Sequence, residues 1–466
     1  MSLNLKAISP SSLAILIASP VMLYLHLRSY LLAFTYDECW TYLGYATQSV
    51  TDIMGNTYPA ANNHILHSLA MKVMDELFGM HEYTLRLPVV LAFIPFAMYL
   101  FWVNRRMLKS FWWVGFIAVL YQPYVLDYFA TARGYGLALM LMMGAIFHLD
   151  RALYKKKGWD TWFSMILIAL AAYANFTYSL VAIAVAMALV FSAGSTGNWK
   201  RFALPVGVVS TAFVLLSWEP MQRLIEAKEL YYGGSEGFYS DTLVTLANRA
   251  AYDRFTGESF AVVLALVLGL SAVWAFVNLG RGTWKQAGFW VTWILLATSI
   301  GSILQHYLLG SPFLVDRTAL FLLPQLILAG CWLLFTYEYT PGKLGLGRLL
   351  VLLAVLNLTL SLNLTHQLDF KEHADTRQAV IHIMDASGDQ PPFHLGKSKY
   401  MNATLMFYKR KLSADMILPV DLSYCDDAGP ASFYYLFAKD TTCVSDKEVT
   451  LMKHYPVSDT YLYRQE

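Results

Sequence analysis

Residues 12–38 read SLAILIASPVMLYLHLRSYLLAFTYDE. Ser12 to Phe34 holds one proline and only two groups that can carry positive charge, His26 and Arg28. A helix rises 1.5 Å per residue, so a stretch of this length reaches across a hydrocarbon core of roughly 30 Å. It is too long for a signal-peptide core and has no small-residue cleavage site. Working outward, Phe260 to Leu279 and Leu349 to Leu364 repeat the pattern. Inside lipid only helices or closed barrels satisfy the backbone. These runs are continuous rather than alternating, which selects helices over a barrel. The fold class expected is an α-helical polytopic membrane protein with a small C-terminal α/β domain.

Composition agrees: 57% of the 466 residues are hydrophobic and 14% charged, against about a quarter charged in soluble domains. A net charge of +2 implies no particular partner, and no dense basic stripe suggests nucleic acid, so none is expected. Eleven membrane helices are expected, at 12–35, 85–103, 111–126, 129–149, 160–173, 178–193, 202–218, 259–280, 288–309, 318–336 and 349–365. Their connections separate by charge. Arg105, Arg106, Lys109, Arg151, Lys155, Lys156, Lys157, Lys200, Arg201, Arg281, Lys285, Lys343 and Arg348 fall on one side, which is therefore cytoplasmic. The N-terminus is then cytoplasmic and the C-terminal domain extracytoplasmic, in a membrane expected to be a bacterial inner membrane.

Residues 1–365 are thus expected to form the transmembrane domain, with outer loops 36–84 and 219–258. In the first loop Trp40 to Val50 and His64 to Phe78 read as amphipathic helices on the membrane surface. In the second, Gly233 and Gly234 among tyrosines fit either a mobile lid or a plain loop. Residues 366–466 regain charges and turn residues and read as the soluble domain. Asp375 to Met384 and Asn402 to Lys409 read as helices, and Ala414 to Val420 and Ser432 to Phe437 as strands. Cys425 and Cys443 share this domain and either form a disulfide or stay as thiols. Cys39 and Cys331 stand alone, and no CxxC pattern occurs.

Chemistry is expected at the outer membrane boundary. Asp37 and Glu38 follow the first helix directly. Two adjacent acids there are costly unless solvated, paired or used, and a carboxylate so placed can accept a proton as a general base. Arg133 sits at the outer end of the fourth helix and Arg317 at the outer start of the tenth. Their planar forks suit phosphate oxygens; snorkelling, or pairing of Arg317 with Asp316, is the plainer account. His64 and His67 lie three apart, one helix face. Without a third ligand they favour a polar cluster or substrate contacts over a divalent metal, and no cofactor is expected. Lys228, Arg249 and Arg254 add positive charge from the second outer loop.

In order along the chain, Tyr36-Asp37-Glu38; Asn63-His64; Leu77-Phe78-Gly79; Leu85-Arg86-Leu87-Pro88; Ala132-Arg133-Gly134-Tyr135; and Arg317 followed by Phe321-Leu322-Leu323-Pro324 resemble the GT-C superfamily of polytopic glycosyltransferases, in the branch of the protein O-mannosyltransferases and aminoarabinose transferases. The family often carries His-Pro-Pro where this chain has Asn62-Asn63-His64, and no DxD triplet occurs. The resemblance implies transfer of a sugar from a polyprenyl-phosphate-linked donor to a glycan, lipid or protein acceptor outside the cytosol, with inversion. It implies Asp37 as general base, Glu38 orienting the acceptor or first loop, and Arg133 and Arg317 on the leaving phosphate. Asn63, His64, His67, Tyr135, Arg249, Arg254 and Lys228 are expected substrate contacts. A transporter or lipid flippase is the alternative, and a scaffold built on the outer domain is a third. Transporters place charges at the midplane in repeated halves, whereas here the polar residues gather at one face and no repeat is visible.

Overall fold

The structure, a computed structural model, describes residues 9–154, 158–278, 286–335, 340–388, 392–422 and 431–466. Lys155, Lys156, Lys157, Arg281 and Lys285 of the basic set expected in the cytoplasm, and Cys425, lie outside the described residues.

The helices in order are α1 (Pro10–Leu31), α2 (Tyr36–Thr41), α3 (Val50–Gly55), α4 (Ile65–Phe78), α5 (Glu82–Leu108), α6 (Trp112–Leu120), α7 (Pro123–Asp127), α8 (Gly134–Tyr154), α9 (Gly158–Ala174), α10 (Ser179–Thr196), α11 (Trp199–Glu226), α12 (Thr245–Ala250), α13 (Gly257–Asn278), α14 (Ala287–Leu309), α15 (Leu322–Phe335), α16 (Pro341–Ser361), α17 (Thr376–Ser387) and α18 (Asn402–Lys411). Among the described residues each of the eleven expected spans overlaps helix. Among the described residues, eight stretches are long and apolar enough to cross a membrane: α1, α5 joined to α6, α8, α10 with the turn before it, α11, α13, α14 and α16. The apolar α15 is shorter.

Local chemistry explains where the helices depart from the apolar runs. The third expected span breaks at Tyr121–Gln122, where Pro123 opens α7 and the Gln122 side chain accepts from the Tyr124 N–H. The fourth begins late. Residues 128–133 form irregular turns, and Arg133 immediately precedes α8. In the other direction, α11 runs past its expected end at 218 through Pro220, with Arg223 paired to Glu219 one turn earlier at 2.5 Å.

The chain forms two compact units, each assembled from separated segments. The first comprises residues up to His26, Val50–His67 and Pro88–Leu362. It carries most of the apolar helices, and α8 packs along α9. The connection after α11 is tied in place. Gly234 and Phe313 form an antiparallel bridge, and the Asp241 carboxylate accepts from the N–H groups of Glu236 and Gly237.

The second unit comprises Leu27–Ser49, Ser68–Leu87 and Asn363–Glu466. Its five-stranded sheet has the order β2-β1-β3-β5-β4, from β1 (Phe393–Lys397), β2 (Ile417–Asp421), β3 (Phe433–Phe437), β4 (Val449–Tyr455) and β5 (Thr460–Gln465). β1 runs parallel to β2 and β3, and β5 antiparallel to β3 and β4. β3 reads FYYLF and is buried along its whole length, as a central strand covered on both faces must be. The expected helices at 375–384 and 402–409 and strands at 414–420 and 432–437 are present as α17, α18, β2 and β3. Cys443 is disulfide-bonded, whereas Cys39 and Cys331 are free and buried.

Candidate functional site

The first unit brings Arg133 and His64 together through glycine. A Cβ at Gly134 would collide with the Ala174 carbonyl oxygen and come within 2.7 Å of the His64 Cβ. A Cβ at Gly136 would collide with the Tyr128 carbonyl. Only glycine allows these backbones so close to the start of α8. In that gap the His64 Nδ1 lies 3.1 Å from the Ala174 carbonyl oxygen. The Tyr135 ring meets the His64 ring edge-on, with centroids 4.9 Å apart. Arg133 is buried at 3% exposure and donates through Nη1 to the Asn62 carbonyl at 3.3 Å. Asn63 shapes the turn that presents both groups, its Nδ2 donating to the Ile53 carbonyl and to Asn56 Oδ1 at 3.1 and 3.0 Å.

Charge converges on His64. Burial pushes its imidazole pKa well down, and Arg133, His67 and Arg317 each push it further, opposed by the bond to Ala174. His64 is therefore a neutral ring within reach of two guanidinium fields that come from distant points in the sequence. A carbonyl only accepts, so Nδ1 carries the proton. His67 is fully buried on the next turn.

Arg317 follows from a second set of contacts. The Asp316 carboxylate turns to Arg249, whose Nε donates at 3.0 Å, and to the Tyr232 hydroxyl at 3.5 Å. The Asp316 N–H donates to Thr245 Oγ1 at 3.0 Å. These bonds fix the 3₁₀ turn Asp316–Ala319 on which Arg317 stands, and the Arg317 guanidinium lies 4.8 Å over the Tyr232 ring. Of the other expected contacts, Arg249 is thus bound to Asp316 and also to Asp253. Arg254 donates to the Asn357 carbonyl and side chain and to Ser361 on α16. Lys228 is exposed just beyond α11, with φ of 56°.

The second unit holds the acidic pair, and its two members differ. Thr35 and Glu38 form a capping box at the start of α2. Thr35 Oγ1 accepts from the Glu38 N–H, and Glu38 Oε2 accepts from the Thr35 N–H. Arg86 grips the same carboxylate with two 2.7 Å bonds, from Nε to Oε1 and from Nη2 to Oε2. Its remaining donors cap the carbonyls of Ser29, Leu32 and Ala33 at and just beyond the end of α1. Glu38 and Arg86 are both fully buried. Both Glu38 oxygens are occupied by these contacts.

Asp37, one residue earlier in the same turn, is also buried and has no part in the Arg86 grip. His373 from the C-terminal segment packs against its neighbour Tyr36, with centroids 5.3 Å apart. Burial pulls the His373 pKa down to about 4, and the Asp37 carboxylate acts in the opposite sense. Glu82 anchors the same segment, binding the Tyr408 hydroxyl at 2.8 Å, Arg377 at 3.3 Å and Lys411. Tyr408 in turn accepts from the Phe34 N–H at 2.6 Å, and Arg28 donates to the His366 carbonyl at 2.7 Å.

Arg86, Glu82 and His373 carry much of this geometry and are not foreseen as site residues. Arg86 stands in the Leu85-Arg86-Leu87-Pro88 segment and is a lone arginine at the start of an apolar run, where an unpartnered charge is expensive. Nothing near His373 in sequence marks it. Among the described residues no group of three or more His, Cys, Asp or Glu side chains could hold a metal ion.

The architecture is a polytopic helical bundle with a small C-terminal mixed sheet, a capped acidic turn after the first helix and an arginine before α8. Solved structures agree at that level. The crystal structure of ArnT from Cupriavidus metallidurans bound to undecaprenyl phosphate is similar with a TM-score of 0.59 and 14% identity, over 98% of each chain. The same protein in the apo state is similar with a TM-score of 0.55 and 13% identity, over 97% of this chain and 98% of that one. At such identities the likeness is one of fold. No protein-family model and no curated protein matches the sequence.

Proposed function

We propose that this chain is an inverting glycosyltransferase that moves a sugar from a polyprenyl-phosphate-linked donor to an acceptor at the outer face of the membrane. The N-terminus lies in the cytoplasm and the C-terminal sheet outside it, in a bacterial inner membrane. The observation that carries the reading is the convergence on His64: Arg133 before α8 and Arg317 before α15 both act on one buried imidazole. Two guanidinium groups, one buried and one half-buried, whose charge reaches the same imidazole suit a phosphate that must leave with negative charge. The fold adds support, since it is shared with a protein crystallised with undecaprenyl phosphate.

In this mechanism Asp37 takes the proton from the acceptor hydroxyl or amine. The acceptor atom forms a bond to the anomeric carbon from the face opposite the phosphate. The bond from that carbon to the phosphate oxygen breaks, and its electron pair leaves on the lipid phosphate, held by Arg133 and Arg317. Glu38 keeps Asp37 in place through Arg86. A general base contributes about 10²- to 10⁴-fold. Label transfer from an undecaprenyl-phosphate-linked sugar to cell-envelope acceptors, by the purified full-length protein, should fall by at least about a hundredfold in Asp37→Asn. Full activity in that variant removes the base assignment. Full activity in Arg133→Gln removes the phosphate clamp.

A further inference from the structure

His64 Nδ1 is committed to the Ala174 carbonyl, which leaves Nε2 as a lone pair. That nitrogen is buried and makes no hydrogen bond among the described residues. An unsatisfied buried acceptor is unfavourable and is kept where something else supplies the donor. Protonation of the ring is disfavoured by its burial first, and then by Arg133, His67 and Arg317. Nor can an acceptor-only nitrogen bind a phosphate oxygen. The group that fits it is a neutral O–H or N–H donor lying beside the phosphate.

We infer that His64 Nε2 accepts a hydrogen bond from a hydroxyl or amino group of the donor sugar, so that Arg133 and Arg317 bind the phosphate while His64 reads the sugar attached to it. The inference rests on the proposed glycosyltransferase reading and assigns His64 a positioning and specificity role within it. The ring is held for that role by the Ala174 bond, by the Tyr135 edge and by Gly134, which alone admits it so close to α8.

The test compares two lipids on the full-length protein in nanodiscs: undecaprenyl phosphate, and the same carrier bearing glucose or arabinose, whichever the wild type transfers. In His64→Asn the amide can still donate to the Ala174 carbonyl, but nothing reaches the Nε2 position. In His64→Gln an amide oxygen can occupy that position. Losing one hydrogen bond to a buried acceptor should weaken the sugar-bearing lipid about tenfold in His64→Asn. Binding of bare undecaprenyl phosphate should stay unchanged, and His64→Gln should recover part of the loss. In the wild type, one monodeoxy analogue of the sugar should bind about tenfold more weakly, and that penalty should vanish in His64→Asn. Equal weakening of both lipids, or a wild type indifferent to every monodeoxy analogue, overturns the assignment. A wild type that binds neither lipid overturns the glycosyltransferase reading and this inference with it.

Discussion

Replacing Arg86 with methionine should cost this protein a large part of its stability, and the structure sets the scale. The substitution removes two 2.7 Å bonds to a fully buried carboxylate and the donors to three carbonyls at the end of α1. Breaking a buried ion pair by deleting one partner costs about 3–5 kcal/mol, because the remaining charge stays in a medium that cannot solvate it. The orphaned carbonyls add about 1 kcal/mol or more each where water does not reach them. A loss of about 6–8 kcal/mol is therefore expected where all three carbonyls stay dry. Arg86→Lys should lose more than half as much, since an ammonium keeps the charge but not the fork. Glu38→Leu alone should be as damaging as Arg86→Met, for the same reason with the charge reversed. The double variant should be less destabilised than the sum of the two by about 2 kcal/mol or more, because neither charge is then left alone. Unfolding in mixed micelles of increasing SDS fraction, followed by tryptophan fluorescence, measures all four variants. An Arg86→Met protein that unfolds at the wild-type SDS fraction, or strictly additive single variants, would refute the reasoning.

Three further outcomes follow from the same geometry. His373 has a pKa near 4 in the folded protein against about 6.5 in the unfolded chain; unfolding therefore takes up a proton between those values, and stability falls by about 3 kcal/mol as pH drops from 6.5 to 4, a slope that His373→Gln should flatten in a pH series of the same micelle assay. Gly134→Ala should reduce sugar transfer at least about tenfold and lower thermal stability by forcing His64 and Ala174 apart, whereas Gly158→Ala, with nothing within 4 Å of the new methyl, should leave both unchanged. Asp316→Asn weakens a partly exposed pair with Arg249 and should cost only about 1 kcal/mol of stability; by loosening the turn under Arg317 it should nonetheless raise the donor KM severalfold with little change in kcat.

The membrane helices were legible because long apolar runs leave one solution in lipid. Their ends were less so, since side-chain caps decided them. Gln122 with Pro123 cut one run early, and the turns before Arg133 delayed another. In the C-terminal domain α17, α18, β2 and β3 could be read, but β1 is five residues of FHLGK, and β4 is a mostly exposed edge strand without an apolar face to betray it. Asp37, Glu38, Arg133, Arg317 and His64 could be chosen as polar residues at one membrane boundary. The division of labour between Asp37 and Glu38 could not, because it depends on Arg86, 48 positions away. The convergence of Arg133 and Arg317 on His64 is likewise tertiary, visible only once Gly134 has let the segments close.

The second compact unit takes residues from both ends of the chain. During synthesis, Leu27–Ser49 and Ser68–Leu87 leave the ribosome long before Asn363–Glu466 exists. Until then Glu82 lacks Tyr408, Arg377 and Lys411, and the Phe34 amide lacks its acceptor. These contacts therefore wait for the C-terminal segment, and a nascent chain stalled before residue 363 holds an N-terminal segment in which Glu82 and the Phe34 amide still await those partners.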